Sequence, residues 1–293
     1  MSGTRRTAAE WARPAHPVAP AVDVLIPTAG RTAELAVTLA GLAAQDRPSF
    51  RVVLSDQSAD GAMATVPAVA AMVRVLRAQG REVTVLRHAS QHGMAEHRQF
   101  LFDHSEADAV LFLDDDVWLE PGALGILHDA LETLGCGFVG MAVQGLSYLD
   151  DVRPHEQQPF ELWGGRVEPE RIRSDVPAYE RHRLHNAANI THLAGQAALR
   201  DGEWTAYKVA WIGGCTMFRR SSLEAAGAFS FWPDLPRHHS GEDVRAQWHV
   251  MERDGGAGIL PSGAVHLEAP TTIPRRDLDA FDPALIGSSG GGR

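Results

Sequence analysis

The chain has 293 residues, of which 44% are hydrophobic and 22% charged, enough for a sizeable core in one large domain or two small ones. A formal net charge of −10 excludes sustained nucleic-acid binding, which needs a basic face, while an anionic small ligand stays compatible through a few local arginines or a metal ion. Two isolated cysteines, Cys136 and Cys215, make neither a disulfide framework nor a zinc site and point to a reducing cytoplasm. The opening "MSGTRRTAAEWARPAHPVAPA" lacks the apolar stretch of a secretory signal, and no run of about 18 apolar residues predicts a spanning helix. The "NIT" at Asn189 matches a glycosylation sequon that has no meaning without secretion. Usage rich in Ala, Arg and Gly points to a high-GC bacterium.

Residues 1–20 are Ala/Pro-rich and read as a mobile extension, and 283–293 read as a flexible tail. Between them "VDVLI" (22–26) predicts a buried strand stopped by Pro27. Leu35, Leu39 and Leu42 then recur at helical spacing, with Thr32 as candidate N-cap. "FRVVLSD" (50–56) is a second strand, and Val66, Val69, Val73 and Leu76 mark a second helix. "EVTVLR" (82–87), the helix "GMAEHRQFLFDHS" and "AVLFL" (109–113) continue the alternation. Pro121 opens a helix carrying Leu124, Leu127, Leu131 and Leu134, and "GFVGMAV" (137–143) follows as a fifth strand. Such alternation predicts an α/β fold with a doubly wound, mostly parallel sheet covered on both faces. Residues 21–143 form one half; the polar stretch 144–208 is an inserted subdomain or lid; residues 209–282 form the second half. That half holds "YKVAWIGGCTMFRR", the short helix "SSLEAAG", the helix "GEDVRAQWHVMERDGG" and the closing strands of "GAGILPSGAVHL".

Open parallel sheets bind ligands at the carboxyl ends of their strands, so the chemistry is sought at Pro27, Thr28, Asp56, the 88–98 segment and Asp114 to Asp116. Three adjacent carboxylates repel one another unless a cation offsets them, and Mg²⁺ or Mn²⁺ takes such oxygens and shares them with phosphates. Alternation along an extended backbone sends Asp114 and Asp116 to one side and Asp115 to the other. Asp116 then reads as a direct metal ligand, and Asp114 as a metal ligand or a partner of a sugar hydroxyl. The plainer alternative is a solvated acidic turn before the next helix. Asp56 either accepts a pyrimidine imide N–H or forms a turn. Arg98 faces a diphosphate or lies on the surface. Glu242 and Asp243 supply a general base, which a helix N-terminus keeps ionised, or merely answer the helix dipole. His266 is structural unless it comes near Asp116 and completes the metal site.

Together these residues resemble the family 2 inverting glycosyltransferases of the GT-A fold, over roughly 22–145 and 209–268. "VLIPTAGR" looks like the family's nucleotide-binding turn, which makes Pro27, Thr28 and Arg31 donor-binding residues, and Asp56 stands at the base-recognition position. "GMAEHRQF" is similar to the segment whose Gly93 and Arg98 approach the diphosphate. "LFLDDDV" is similar to the DXD metal motif, with Asp114 and Asp115 counted toward the donor and Asp116, Asp114 and His266 toward the metal. "WIGGCTMFRRSSLEAAGAF" resembles the acceptor-side segment, implying Trp211, Gly213 and Gly214. "GED" resembles the catalytic-base motif, with Asp243 as base and Glu242 next in line. Gln57 and Gln99 depart from the family's usual residues at those places. The processive QxxRW motif is absent, which implies transfer of a single sugar.

The resemblance thus implies metal-dependent, inverting transfer from a UDP-, dTDP- or GDP-linked sugar to an unknown acceptor hydroxyl. That acceptor belongs to cell-envelope or secondary metabolism, with peripheral membrane contact if it is a lipid. Trp163, Tyr179, His182, His185, His192 and Trp204 give the 144–208 stretch surface for a sugar or a flat natural product. The competing readings are a sugar-phosphate nucleotidyltransferase, which lacks its basic phosphate loop here, and a nucleotide-sugar-binding protein without turnover. A DxDx(T/V) phosphatase fits poorly with Trp118 in the last position, and no GxGxxG supports a dinucleotide enzyme.

Overall fold

A computed structural model describes residues 6–13, 18–58, 61, 63–271 and 275–282. The expected flexible tail lies outside the described residues, as does part of the expected N-terminal extension. The described part of that extension holds a one-turn helix, α1 (Ala8–Trp11), closed by a Thr7–Glu10 capping box.

The first half alternates as the apolar spacing predicts. It runs β1 (Val22–Thr28), α2 (Thr32–Ala43), β2 (Phe50–Asp56), α3 (Pro67–Ala78), β3 (Val83–Arg87), α4 (Met94–Asp103) and β4 (Ala109–Leu113). After a turn come β5 (Val117–Leu119), α5 (Ala123–Leu134) and β6 (Phe138–Gly140). The later elements are α6 (Asn189–Gln196), β7 (Thr205–Tyr207), β8 (Cys215–Arg219), α7 (Arg220–Ala225), β9 (His239–Ser240), α8 (Glu242–Asp254), β10 (Gly256–Leu260), β11 (Ala264–His266) and β12 (Leu278–Asp279).

Eight strands form the central sheet in the order β3-β2-β1-β4-β8-β6-β10-β7. β3, β2, β1 and β4 are mutually parallel. β8 runs antiparallel to both β4 and β6, and β7 runs antiparallel to β10. The chain of parallel strands is therefore broken where the second half enters. β5 pairs with β11, and β9 with β12, in two small two-stranded sheets. Buried residues on both faces of the main sheet, such as Leu35, Leu39 and Leu124 on one side and Phe218, Phe229 and Trp248 on the other, make two apolar layers. This accounts for the continuous apolar runs of the inner strands.

Four boundaries differ from expectation, the first being the fifth strand, expected over 137–143, which covers only Phe138–Gly140. β1 does not stop at Pro27: it continues to Thr28 against β2, after its pairing with β4 has ended at Leu25. A residue without an N–H is tolerated where a strand has lost one neighbour. Arg31, not Thr32, precedes α2, and no side chain caps that end. α5 opens on Gly122 in the left-handed region, with Pro121 outside the helix. The 144–208 stretch is built into the molecule: Ile172, Leu184, Leu193 and Tyr207 are buried in the second apolar layer, and β7 extends the main sheet.

Burial also sets a pH response. His97 is 1% exposed, with Nε2 2.8 Å from Ser55 Oγ, and burial pushes its pKa down to about 3. The unfolded chain takes up this proton as pH falls below about 6.5 and the native state does not. The neutral ring's contribution is complete above that pH and is lost progressively as pH falls toward 3. His97→Gln is expected to flatten the stability–pH curve over this window by roughly 1.4 kcal/mol per pH unit. Urea titrations at pH 7, 6 and 5 check this; parallel curves for the two proteins would contradict it.

Candidate functional site

The carboxyl ends of β1, β2 and β4 open into a cleft of about 570 Å³, within the size range of a small-molecule site. β4 ends at Leu113, and Asp114, Asp115 and Asp116 form a turn before β5. The turn is pinned by Asp114 N–H to Gly214 O at 2.9 Å, Val117 N–H to Asp114 O at 3.3 Å, and Thr38 Oγ1 to Asp115 O at 2.9 Å.

A turn does not alternate its side chains as a strand does, so the expected grouping of Asp114 with Asp116 is replaced by another. Asp115 and Asp116 share Arg31: its Nη1 donates to Asp115 Oδ1 at 3.1 Å and to Asp116 Oδ2 at 2.6 Å. Asp115 also accepts from Thr28 Oγ1 at 2.6 Å. Burial nevertheless pushes its carboxyl up to about 6, against the pull of Thr28 and Arg31. Asp116 is 2% exposed, and burial resists its charge. His266, with Nε2 3.3 Å from Asp116 Oδ2, and Arg31 outweigh that and hold Asp116 below the usual carboxylate range. Asp114 turns away to Arg98 Nη2 at 3.2 Å.

Arg98 is 6% exposed and not a surface residue. It bridges two elements, with Nη2 on Asp114 and Nε on Glu242 Oε1 at 2.9 Å. Burial works against its charge, but Asp114, Glu242 and Asp243 outweigh burial and keep it protonated. Glu242 and Asp243 both line the cleft, but Glu242 is committed to a buried ion pair, while Asp243 is held by Val244 N–H on Oδ1 at 2.9 Å. Burial and the charge of Glu242 raise the Asp243 pKa well above the carboxylate range, against the pull of Arg98. The helix N-terminus was expected to favour ionisation of Asp243; here burial prevails. The outcome is a carboxylate of unusual basicity facing the cleft, a property suited to a general base.

Other expected residues are distributed unevenly. Pro27, Thr28 and Arg31 line the cleft, and so does Trp211. Asp56 is 3% exposed and accepts from Ser58 N–H at 2.7 Å and Met63 N–H at 3.3 Å, an Asx-type turn. Its neighbour Gln57 lines the cleft instead. Gly93 opens α4 at φ +107, where a Cβ would lie 2.4 Å from His239 Cε1. His239 Nε2 accepts from Ala95 N–H at 3.1 Å, so this helix end is already capped by a side chain. Gly214 adopts φ +78, and its carbonyl holds Asp114; Gly213 has open space around it. Gln99 binds Phe229 N–H at 2.9 Å and Asp103 at 2.8 Å.

Sequence reasoning missed Arg276, Asp279 and Phe281, which line the cleft because β12 pairs with β9. No periodicity marks them. It also missed the partners of Arg31, since no local pattern joins residue 31 to residues 115, 116 and 270.

Among the described residues no three His, Cys, Asp or Glu side chains converge closely enough to hold an ion. The expected trio of Asp114, Asp116 and His266 is reduced to a pair because Arg98 holds Asp114. The pair fits a divalent ion in donor kind and proximity, one carboxylate and one imidazole 3.3 Å apart. Ions of this class commonly take one or two protein ligands and complete their shell with substrate phosphates and water.

Comparison with known proteins gives the family and the fold. The family model described as "Glycosyl transferase family 2" matches residues 23–227. No curated protein sequence matches the chain. Among solved structures, TarS 1-349 of S. aureus is similar at 15% identity and TM-score 0.52, over 84% of this chain and 60% of that one. The same protein in complex with UDP-GlcNAc gives 15% identity and TM-score 0.52, over 86% of this chain and 60% of that one. The mannosyltransferase PcManGT of Pyrobaculum calidifontis, in complex with GDP-Man and Mn²⁺, gives 18% identity and TM-score 0.52, over 91% of this chain and 64% of that one. The chain thus spans less than two thirds of the length of these proteins. No helix among the described residues is long and apolar enough to cross a membrane. With the mixed sheet, the edge cleft and a family match over most of its length, the chain belongs to glycosyl transferase family 2 and has the GT-A fold.

Proposed function

We propose that the protein is a metal-dependent, inverting glycosyltransferase that moves a single hexosyl or related sugar from a nucleoside-diphosphate sugar to an acceptor hydroxyl. The observation that carries this reading is one cleft lined by two kinds of carboxylate. Asp116 is held ionised beside His266, and Asp243 is made basic by burial. A displacement needs both characters, one to manage leaving-group charge and one to accept a proton. The solved neighbours in complex with UDP-GlcNAc and GDP-Man support the donor class.

Asp116 and His266 would hold Mn²⁺ or Mg²⁺ together with the donor diphosphate, an ion that would supply neutralisation of charge on the leaving nucleoside diphosphate. Asp243 takes the proton of the acceptor hydroxyl as that oxygen attacks the anomeric carbon from the face opposite the leaving group. The bond to the diphosphate breaks and the configuration inverts. Arg98 positions this step by engaging Glu242, the helix neighbour of Asp243, so that of the two cleft carboxylates Asp243 is the one free of an ion pair. Pro27, Thr28, Arg31 and Gln57 form the donor side, with Asp56 shaping the turn behind Gln57. Trp211 and the residues around Asp279 and Phe281 form the acceptor side. Two buried free thiols, Cys136 and Cys215, suit a reducing cytoplasm.

A thermal-shift panel of UDP, dTDP, GDP and their sugar conjugates, with and without Mn²⁺, tests the donor class. One nucleotide series is expected to raise Tm, and only with the ion present. Asp116→Ala is expected to remove the ion-dependent part of the shift; an unchanged shift in chelator would sink the metal assignment. Inversion is read separately, from the anomeric configuration of the product by NMR.

A further inference from the structure

We propose that Gln247 is a positioning residue of the reaction: its buried amide holds the acceptor-side segment 210–214 against the helix that carries the base. The inference rests on the reading of Asp243 as that base.

Residues 208–214 connect β7 to β8 and belong to no strand. Ile212, at 0% exposure, lies within this connection, and side chains meet both of its main-chain groups. Ile212 N–H donates to Gln247 Oε1 at 2.7 Å, and Gln247 Nε2 donates to Ile212 O at 2.7 Å. The amide thus pairs with one residue as a neighbouring strand would, through one donor and one acceptor. Thr216 Oγ1 adds a second bond to Ile212 O at 3.0 Å. Gln247 is 1% exposed, and a primary amide is costly at that depth unless both its ends are bonded. An apolar side chain would fill the same core position without that demand, so packing alone gives no reason for glutamine here.

The next residue of the helix ties the other side. Trp248 Nε1 donates to Ala210 O at 3.0 Å. α8 therefore fastens residues 210 and 212, which flank Trp211, an aromatic wall of the cleft. Trp211 is also stacked on His182, with ring centroids 5.7 Å apart and 7° between the planes. Asp243 stands four residues before Gln247, a spacing that places the two on one side of α8. Two residues past Ile212, Gly214 O accepts Asp114 N–H at 2.9 Å. A space of about 10 Å³, enough for one water at most, is lined by Asp243, Gln247, Ile212 and Gly214.

The base, the wall beside it and the turn that ends β4 are thus held in one register through a single segment. A general base must lie within hydrogen-bond reach of the proton it takes, and a misplacement of about 1 Å can cost on the order of a hundredfold in rate. The donor-side residues Thr28, Arg31 and Gln57 are held by other partners, Asp115, Asp116 and Ser90 O, so nucleotide affinity does not depend on this clamp.

The test uses the full chain with Mn²⁺ and whichever UDP-, dTDP- or GDP-linked sugar wild type cleaves, water serving as acceptor. Gln247→Met keeps the approximate shape and removes both bonds. Gln247→Ser leaves room for water on Ile212 and serves should the methionine variant fail to fold. Thr216→Val removes a bond to the same carbonyl and leaves the clamp intact. Both Gln247 variants are expected to lose kcat by roughly tenfold or more, with donor KM and nucleotide affinity within about twofold of wild type, while Thr216→Val keeps its kcat within about twofold. Hydrogen exchange of the peptide 209–214 is expected to quicken in the Gln247 variants alone. Unchanged kcat in the Gln247 variants, or kcat lost in all three in step with Tm, overturns the positioning role and leaves the transferase reading standing. Failure of both Gln247 variants to fold does the same, since the contact is then structural. If wild type cleaves no donor, the transferase reading falls and the role of Gln247 with it.

Discussion

Asp243→Asn is expected to lower kcat by roughly a hundred- to ten-thousandfold, the range for loss of a general base. Nucleotide and Mn²⁺ affinities should change little, because an amide of the same shape keeps the Val244 N–H contact, 2.9 Å in the native protein. Glu242 cannot readily replace it: its carboxylate is 6% exposed and engaged by Arg98 Nε at 2.9 Å. The pH profile gives a second reading. Burial raises the Asp243 pKa, and in the proposed mechanism the ionised form is the working one. Wild-type kcat/KM should therefore fall, as pH is lowered, at a pH well above the ordinary carboxylate range, and this limb should vanish from the residual activity of the variant. If donor affinity collapses along with turnover, Asp243 is a binding residue. If turnover survives, the base is elsewhere.

Arg98→Met carries the largest expected loss of stability. It leaves Glu242 buried and charged without its partner and frees Asp114 at the cleft wall. Breaking a buried ion pair from one side costs about 3–5 kcal/mol, which lowers Tm by on the order of 10 °C in a chain of this size. The Asp114 pair adds little, since that side chain is 36% exposed and solvent screens it. The double variant Arg98→Met with Glu242→Leu should recover much of the loss, because the orphaned charge is gone. Calorimetry on the three proteins decides the matter: a Tm for Arg98→Met within about 2 °C of wild type would show that the bridge contributes little.

The same two residues show how far the sequence could be read. Arg98 was visible as an arginine early in a helix that begins at the ligand edge of the sheet. Whether it met a diphosphate, solvent or two carboxylates depended on Asp114, 16 residues away, and on Glu242, 144 residues away. Asp56 was visible as a carboxylate ending a strand, and its turn partners Ser58 and Met63 are local, so the plainer alternative was open from the start. The Asp114–Asp116 run was legible as a cation or anion-crowding problem. Its side-chain directions were not, because β4 ends one residue before it and the alternation of a strand stops there.

By itself the sequence determined the alternation of apolar runs and helical stripes, and with it the parallel half of the sheet and the edge at which the cleft lies. Those patterns arise from each segment's own periodicity, which burial on one or both faces imposes locally. It also determined which residue types gather at that edge, since three aspartates and a GED turn are written in the chain. Only the tertiary structure decided their partners. β8 and β10 entered the sheet by pairings between distant segments, and β12 brought Asp279 and Phe281 over the cleft. Arg31 was assigned to Asp116 and Pro270, and Arg98 to Glu242, by distances that no periodicity encodes. The charge state of a buried carboxylate follows from such neighbours and from its depth. Asp116 is therefore held acidic and Asp243 made basic, although in the sequence they are the same residue.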